Sequence, residues 1–398
     1  MDDVHKLDDA WNQYLGALRA LTERVRGDSA CSDARSRAEA YNMIQALIAN
    51  AYINVVYPDP QSPQLIEDYS IMLNYCAPTG DFKYQNVLLE RGASYRVWGS
   101  RGTVHYIDFE QCAGWWDPKH DGPTKGINHA SFDDIGIAVA PDGAFSFLLS
   151  TEQQTSDWMP KHPDTTVVIV RQMFYDWANE TPAEIHFERI GGGSVDPPSP
   201  AVFADRIERA ARSVEYLGGH SIAMYKALVH DVGFHLIREE KWGSRGGQID
   251  QNYWNAAFQL IEDQALLLEW QVPESCVYWG LQLYNTWWQG LDFRTHQCSL
   301  NGFQARPDAD GVTRLLISAK DPGLANWVDT VGHQNGQMLL RCKHRRGAPP
   351  LAAQPTLSLV RLTDLEQVSS AGLRRVTPAE RHAQIATRIR HMARRFGR

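Results

Sequence analysis

From Tyr84 the apolar residues stop recurring at helical spacing and begin to alternate. YQNVLLERG, SYRVWGSRG and TVHYIDFEQ are three β-type runs with turns around Gly92 and Gly99–Gly102, which predicts a meander or a pair of hairpins. IGIAV and AFSFLLS flank the turn tripeptide Pro141-Asp142-Gly143, a hairpin pattern, and TTVVIVRQMF and AEIHFERI are further strands. β-character returns in ALLLEWQV, CVYWGLQLYN, TRLLISA, GQMLLRC and LSLVRL. Nowhere do strand and helix patterns alternate unit by unit, so a doubly wound parallel sheet is not expected. The expected class is α+β, mainly antiparallel β, with β-sandwich or jelly-roll-like domains.

Helices frame these blocks. Leu7, Trp11, Leu15, Leu18 and Val25 form a helical stripe, and a second helix runs from about Ser32 until Pro58, Pro60 and Pro63. GGGSVDPPSP is the clearest linker; it ends in Ser199-Pro200, an N-cap and first-turn proline. The helix that follows is expected to stop at Gly218-Gly219 and a second to reach about Glu240. Asn252–Ile261 reads equally as helix or strand, and no internal repeat of fixed period is visible. Thr377, Pro378 and Glu380 open the last helix with a capping box, and Ile385, Ile389, Met392 and Phe396 form its apolar stripe. The expected layout is a helical region at 1–80, a first β-domain at 81–195, a helical insertion at 196–262, a second β-domain at 263–365 and a basic amphipathic helix at 366–398.

The net charge of −8 gives no footprint for nucleic acid. It is uneven: Arg374–Arg398 carries +7 and the rest −15, so the basic tail is expected to dock on protein. A homo-oligomer is expected. The start, MDDVHKLDDAWNQYL, lacks the basic and apolar regions of a signal peptide, and no stretch approaches a membrane span. Six cysteines without a C-x-x-C pair fit reduced thiols in the cytoplasm.

Ala265–Arg361 resembles a bacterial family, domain of unknown function 1214. The resemblance rests on Pro273, Tyr278-Trp279-Gly280, Tyr284-Asn285, Trp287-Trp288, Ser299-Leu300-Asn301, Asp310-Gly311, Asp321-Pro322-Gly323 and, above all, NWVDTVGHQNGQMLLR. It implies a β-sandwich or jelly roll, commonly paired with a second related β-domain and commonly oligomeric, with no settled activity.

The polar segment NWVDTVGH beside an aromatic strand is the expected site. Asp329 would orient His333, leaving one imidazole nitrogen as acid or base. The alternative is that Asp329 caps a turn and His333 bonds backbone. On the strand from Tyr278 to Tyr284, the Trp279, Leu281 and Leu283 face must be core, whereas the Tyr278, Gln282 and Tyr284 face could line a pocket. Tyr284 is placed with the catalytic pair, Tyr284 and Asn301 at the substrate's polar end, Trp288 and Trp327 against the substrate, and Arg341 or Arg171 on any anion. For Arg171, pairing inside the protein is the favoured reading, because a lone buried charge is costly. No zinc spacing, H-E-x-x-H, G-x-G-x-x-G or P-loop occurs, so neither metal nor nucleotide cofactor is expected. His120, His129, Asp121 and Asp133 are no more than loop composition. The expectation is a cofactor-independent enzyme doing acid–base chemistry, of lyase, isomerase or hydrolase type, on a hydrophobic or aromatic small molecule. Non-catalytic binding of a carbohydrate or lipid-like ligand, or a purely structural oligomer module, are the alternatives.

Overall fold

A computed structural model describes residues 2–31, 33–114, 125–132, 135–242, 247–248, 251–344, 354–368 and 373–396. His120, Asp121 and Asp133 lie outside them. Helices α1 (Asp3–Arg26) and α2 (Ala34–Ala51) come first, each capped by an aspartate side chain, Asp2 and Asp33. Two sandwiches follow. In the first, one sheet runs in the order β1 (Ile66–Asp68), β2 (Phe82–Leu88), β8 (Val167–Met173), β4 (Tyr106–Ala113), β5 (Lys125–Ser131). Its partner sheet runs β7 (Trp158–Pro160), β6 (Ala144–Ser150), β3 (Tyr95–Ser100), β9 (Glu184–Arg189). All pairings are antiparallel except β6 with β7.

The second sandwich repeats the first strand for strand. One sheet runs β10 (Arg238–Glu240), β11 (Gln251–Gln259), β17 (Asn335–His344), β13 (Cys276–Tyr284), β14 (Ser299–Asn301). The other runs β16 (Trp327–Asp329), β15 (Thr313–Ser318), β12 (Gln264–Trp270), β18 (Thr356–Arg361), with β15 and β16 again parallel. The likeness extends to side chains. Trp158 Nε1 donates to the Ser150 carbonyl (3.2 Å) and Oγ (3.1 Å), and Trp327 Nε1 donates to the Ser318 carbonyl (3.2 Å) and Oγ (3.0 Å). The chain is an internal duplication. The matching strands begin 168–174 residues apart, as with Val167 and Asn335 (168) or Lys125 and Ser299 (174), but the halves keep too few residues in common for that period to stand out in the sequence.

Several local expectations change. β2, β3 and β4 do not form a meander; each Gly-bearing turn carries the chain from one sheet to the other. The expected hairpin around Pro141-Asp142-Gly143 survives as the bridge Val139–Phe145. The ambiguous Asn252–Ile261 stretch, placed within the helical insertion at 196–262, is mostly β11, with Trp254, Ala256 and Phe258 in the core. Helix α3 (Pro200–Asp231) starts at the Ser199 cap and does not stop at Gly218-Gly219. A Cβ on Gly218 would lie 2.6 Å from the Leu21 methyls, so this glycine permits close packing of α3 on α1. A short turn of helix, α4 (Leu365–Val368), precedes α5 (Pro378–Phe396). Among the described residues no helix is long and apolar enough to cross a membrane.

Alternation along the strands fixes what faces what. In β8, Val168 and Val170 enter the sandwich core while Val167 and Ile169 pack under the N-terminal helices. Trp279, Leu281 and Leu283 of β13 are core, as that face of the strand requires. The outer faces of the two larger sheets look at each other, Phe82 meeting Tyr278 edge to face at 5.4 Å. Helix α5 lies across both sandwiches at this junction.

Candidate functional site

Between the two facing sheets, under α3, lies a cavity of about 410 Å³. The first sandwich contributes Phe82, Tyr84 and Arg171, and the second contributes Tyr253 and Arg341. Helix α3 closes one side with Tyr216, His220 and Met224, and Trp242 and Trp288 form an aromatic corner. The two indoles meet edge to face at 5.9 Å, and Trp242 packs on the Tyr253 ring at 5.1 Å. His220 lies edge-on to Trp288 at 5.1 Å and parallel to Tyr216.

The backbone around this cavity is strained. Seven non-glycine residues among those described have left-handed φ, and four of them, Tyr69 (37°), Cys76 (50°), Ala77 (60°) and Trp288 (61°), line the cavity. Each such residue costs about 1–3 kcal/mol and persists only where its surroundings over-determine it. Here the Ala77 amide donates to the Trp288 carbonyl (2.9 Å), and Asn285 Oδ1 accepts the amides of Trp287 (3.0 Å) and Gln289 (3.1 Å). Strain concentrated on one wall marks the cavity as the place where local geometry was held against backbone preference.

Burial sets the titration of the lining. It pushes the Cys76 thiol up to about 12 and raises the Tyr69 and Tyr84 phenols; Tyr253 is pushed up to about 12. At neutral pH these groups are donors or weak dipoles, not anions. Arg171 is neutralised inside the protein: Nη1 lies 2.5 Å from Glu110 Oε2 and 3.6 Å from Asp108 Oδ2. Gln248 Nε2 donates to Asp108 at 2.5 Å. Arg341 is 6% exposed and differs: Nη1 donates to Tyr284 Oη (3.0 Å) and Nη2 to the Ala77 carbonyl (3.1 Å).

The structure therefore brings Arg171, Arg341 and Trp288 to one cavity, with Tyr284 directly behind Arg341. The residues expected around NWVDTVGH lie elsewhere. Asp329 does not hold His333; its Oδ1 accepts the Val331 amide at 2.7 Å and closes the turn. His333 Nε2 meets Glu39 Oε1 of α2 at 2.8 Å, and Nδ1 faces the Thr330 carbonyl at 2.8 Å and Arg35 Nη2 at 3.0 Å. Both ring nitrogens are engaged, at the edge of a separate open cleft of about 890 Å³. Burial alone would raise the Glu39 carboxyl, but His333 and Arg35 outweigh it and hold it below its ordinary value. Asn301 is 0% exposed and ties the sandwiches together, with Nδ2 on Asp81 Oδ1 (2.8 Å) and the Tyr175 carbonyl (3.1 Å). The Trp327 indole is spent on Ser318, with the Arg381 guanidinium over its ring at 5.1 Å. His333→Ala is accordingly expected to cost about 1–3 kcal/mol through α2 and to leave ligand binding in the aromatic cavity unchanged. Calorimetric binding at full strength on a destabilised variant would support this; lost binding on a fully stable one would contradict it.

Sequence reasoning missed Tyr84, Tyr253, His220, Trp242 and the 69–77 segment. A signal existed: Ser150, Trp158 and Arg171 stand at nearly the same spacings as Ser318, Trp327 and Arg341. Superposing the halves on it pairs the two arginines.

Among the described residues no group of three or more His, Cys, Asp or Glu is placed to hold a metal ion. No protein-family model matches the chain, and no curated protein does. Among solved structures it is similar to an uncharacterized protein from Burkholderia cenocepacia, at 28% identity and a TM-score of 0.84, over 92% of this chain and 100% of that one. That likeness supports the α+β architecture of paired sandwiches. A protein from Vibrio parahaemolyticus aligns over 81% of this chain and 98% of its own at 12% identity, with a TM-score of 0.45, too low to carry an argument.

Proposed function

We propose that the cavity between the sandwiches binds a hydrophobic or aromatic small molecule and does cofactor-independent acid–base chemistry on it. The observation that carries this reading is the wall of strained residues, Tyr69, Cys76, Ala77 and Trp288, around a cavity closed by aromatic rings. Apolar lining with a few convergent polar groups is the usual composition of a small-molecule site. His220 is the proton acceptor in this reading, and the neutral phenols of Tyr84 and Tyr253 are donors to a developing negative charge. Tyr284 acts behind them by fixing Arg341. Membership of domain-of-unknown-function family 1214, a cytoplasmic location and a homo-oligomeric state belong to the same proposal. Simple binding is the second reading, favoured by a Cys76 thiol pushed up to about 12, which leaves the wall without a ready nucleophile.

The test uses a series of one- to three-ring arylacetic acids and their carboxamides, with 2-acetonaphthone as a carbon acid. Calorimetry is expected to find micromolar binding for at least one member. Met224→Trp, which fills the cavity from α3, should abolish it while melting within a few degrees of wild type. Binding that survives this substitution would place the site elsewhere. Solvent deuterium should enter 2-acetonaphthone in the presence of the protein, and His220→Gln should stop this; exchange that never exceeds buffer favours the binding reading.

A further inference from the structure

The duplication puts Arg171 and Arg341 at equivalent positions, each in the central strand of its sheet and each facing the cavity. Arg171 stands between Tyr84 on β2 and Asp108 on β4. Arg341 stands between Tyr253 on β11 and Gly280 on β13. The tyrosine is kept and the carboxylate is not. Two residues along β4, opposite Ile169, is Glu110; the matching residue of β13, opposite Leu339, is Gln282. Both carboxylates that neutralise the first arginine are thus replaced by uncharged residues around the second.

Among the described residues no other carboxylate pairs with Arg341 in their place. No ion pair of the described residues includes Arg341. The space above Gly280 is filled by the Tyr278 hydroxyl and the Asp81 carboxylate. Asp81 is itself bound by Tyr278 Oη (2.7 Å), Asn301 Nδ2 (2.8 Å) and Trp177 Nε1 (3.0 Å). Asp108 is held by Arg171 and Gln248. Arg341 therefore stands on the cavity wall, 6% exposed, with a full charge. It has two neutral oxygens for partners, and its remaining N–H groups have no acceptor among the described residues. A buried cation without a counterion is costly, and the cost falls when a ligand supplies the anion.

We infer that the ligand of this cavity is an acid: an apolar or aromatic body carrying a carboxylate, or a similar planar anion, that Arg341 receives in place of the counterions its twin retains. The inference rests on the reading of the cavity as a ligand site and names the chemical class that fills it. A guanidinium offers parallel N–H groups that match a carboxylate's two oxygens, and an amide of the same shape cannot return that match. Tyr253 flanks the anion, and Trp242 and Trp288 cover the apolar body.

The same compound series separates the two claims, because each acid has a neutral amide of nearly equal shape. Wild-type protein is expected to bind the acid about 30-fold more tightly than its amide. Arg341→Met should remove that preference while leaving the amide's affinity within about threefold. Acid and amide binding alike to wild type would overturn the inference, and would leave the cavity reading intact if Met224→Trp still blocks both. A preference that persists in Arg341→Met would assign the anion to another residue and overturn it as well. No binding by any compound would overturn the cavity reading and the inference together. The wild-type comparison needs no variant, so a failure of Arg341→Met to fold does not remove the test.

Discussion

Deleting residues 377–398 is expected to destabilise the protein by on the order of 5 kcal/mol and to loosen the two sandwiches from each other. The capping box forms as expected: the Thr377 amide donates to Glu380 Oε2 (2.7 Å) and the Glu380 amide to Thr377 Oγ1 (3.2 Å). The fully buried face of α5, however, is mostly basic and takes Met392 from the apolar stripe, with Ile385 only half-buried. Ile389 is 44% exposed, whereas Arg388, His391, Met392 and Arg395 are buried. Arg388 lies over the Trp177 ring at 4.8 Å and donates to Ser299 Oγ at 3.0 Å. Arg395 lies over Phe174 at 4.8 Å and donates to the Phe82 carbonyl at 3.1 Å. One helix thus grips Phe82, Phe174 and Trp177 of the first sandwich and Ser299 of the second. Met392 adds about 1.5–3 kcal/mol of apolar burial. Acid should produce the same loosening. His391 stacks on Trp177 at 4.8 Å, and burial, with Arg395, Arg394 and Arg388 nearby, lowers its pKa from 6.5 to about 2. A histidine kept neutral in the fold but protonated when unfolded stabilises the fold above about pH 6.5 and loses that contribution progressively below it. Each pH unit on that limb costs on the order of 1 kcal/mol, and the truncated chain should lack the limb. Urea titrations of both chains from pH 4 to 8 read it directly; equal stability of the two chains at pH 7 would refute the clamp.

The α5 case shows what the sequence could and could not disclose. Its start signal is local, and local signals were readable: the caps of α3 and α5, and the apolar face of β13. Which face of a basic helix is buried depends on π-faces and carbonyls supplied by distant strands, and periodicity carries no trace of them. The cavity was illegible for the same reason. Its residues come from the 69–77 segment, β2, β8, α3, β11 and β17, brought together by a duplication whose halves keep strand order rather than sequence. NWVDTVGH stood out as polar text in a β-region, yet its polarity serves turns. Asn326 Nδ2 donates to the Arg306 carbonyl (2.6 Å) and Arg314 carbonyl (3.0 Å), as Asp329 serves the Val331 amide. Polar residues that satisfy backbone in a tight turn look, in a single sequence, like polar residues that serve a substrate. Arg171 and Arg341 were both candidates to hold an anion; that one is neutralised and the other is not depends on β4 and β13, which only the register reveals.

That difference yields opposite expectations for one substitution made twice. Arg171→Met should cost about 3–5 kcal/mol, because it strands Glu110 and Asp108 in the interior without their cation. Adding Glu110→Gln should recover part of the loss, since one stranded charge disappears. Arg341→Met strands no carboxylate. It gives up hydrogen bonds to Tyr284 and the Ala77 carbonyl and relieves an uncompensated buried charge, so without ligand its stability should stay within about 1 kcal/mol of wild type. Urea unfolding of the three variants measures this. Equal losses for the two single variants would mean that Arg341 already has a counterion, and the argument for an acidic ligand would fall with it. The predicted asymmetry would instead show that the duplicated fold keeps one arginine to hold its sheets and leaves the other for a ligand's charge.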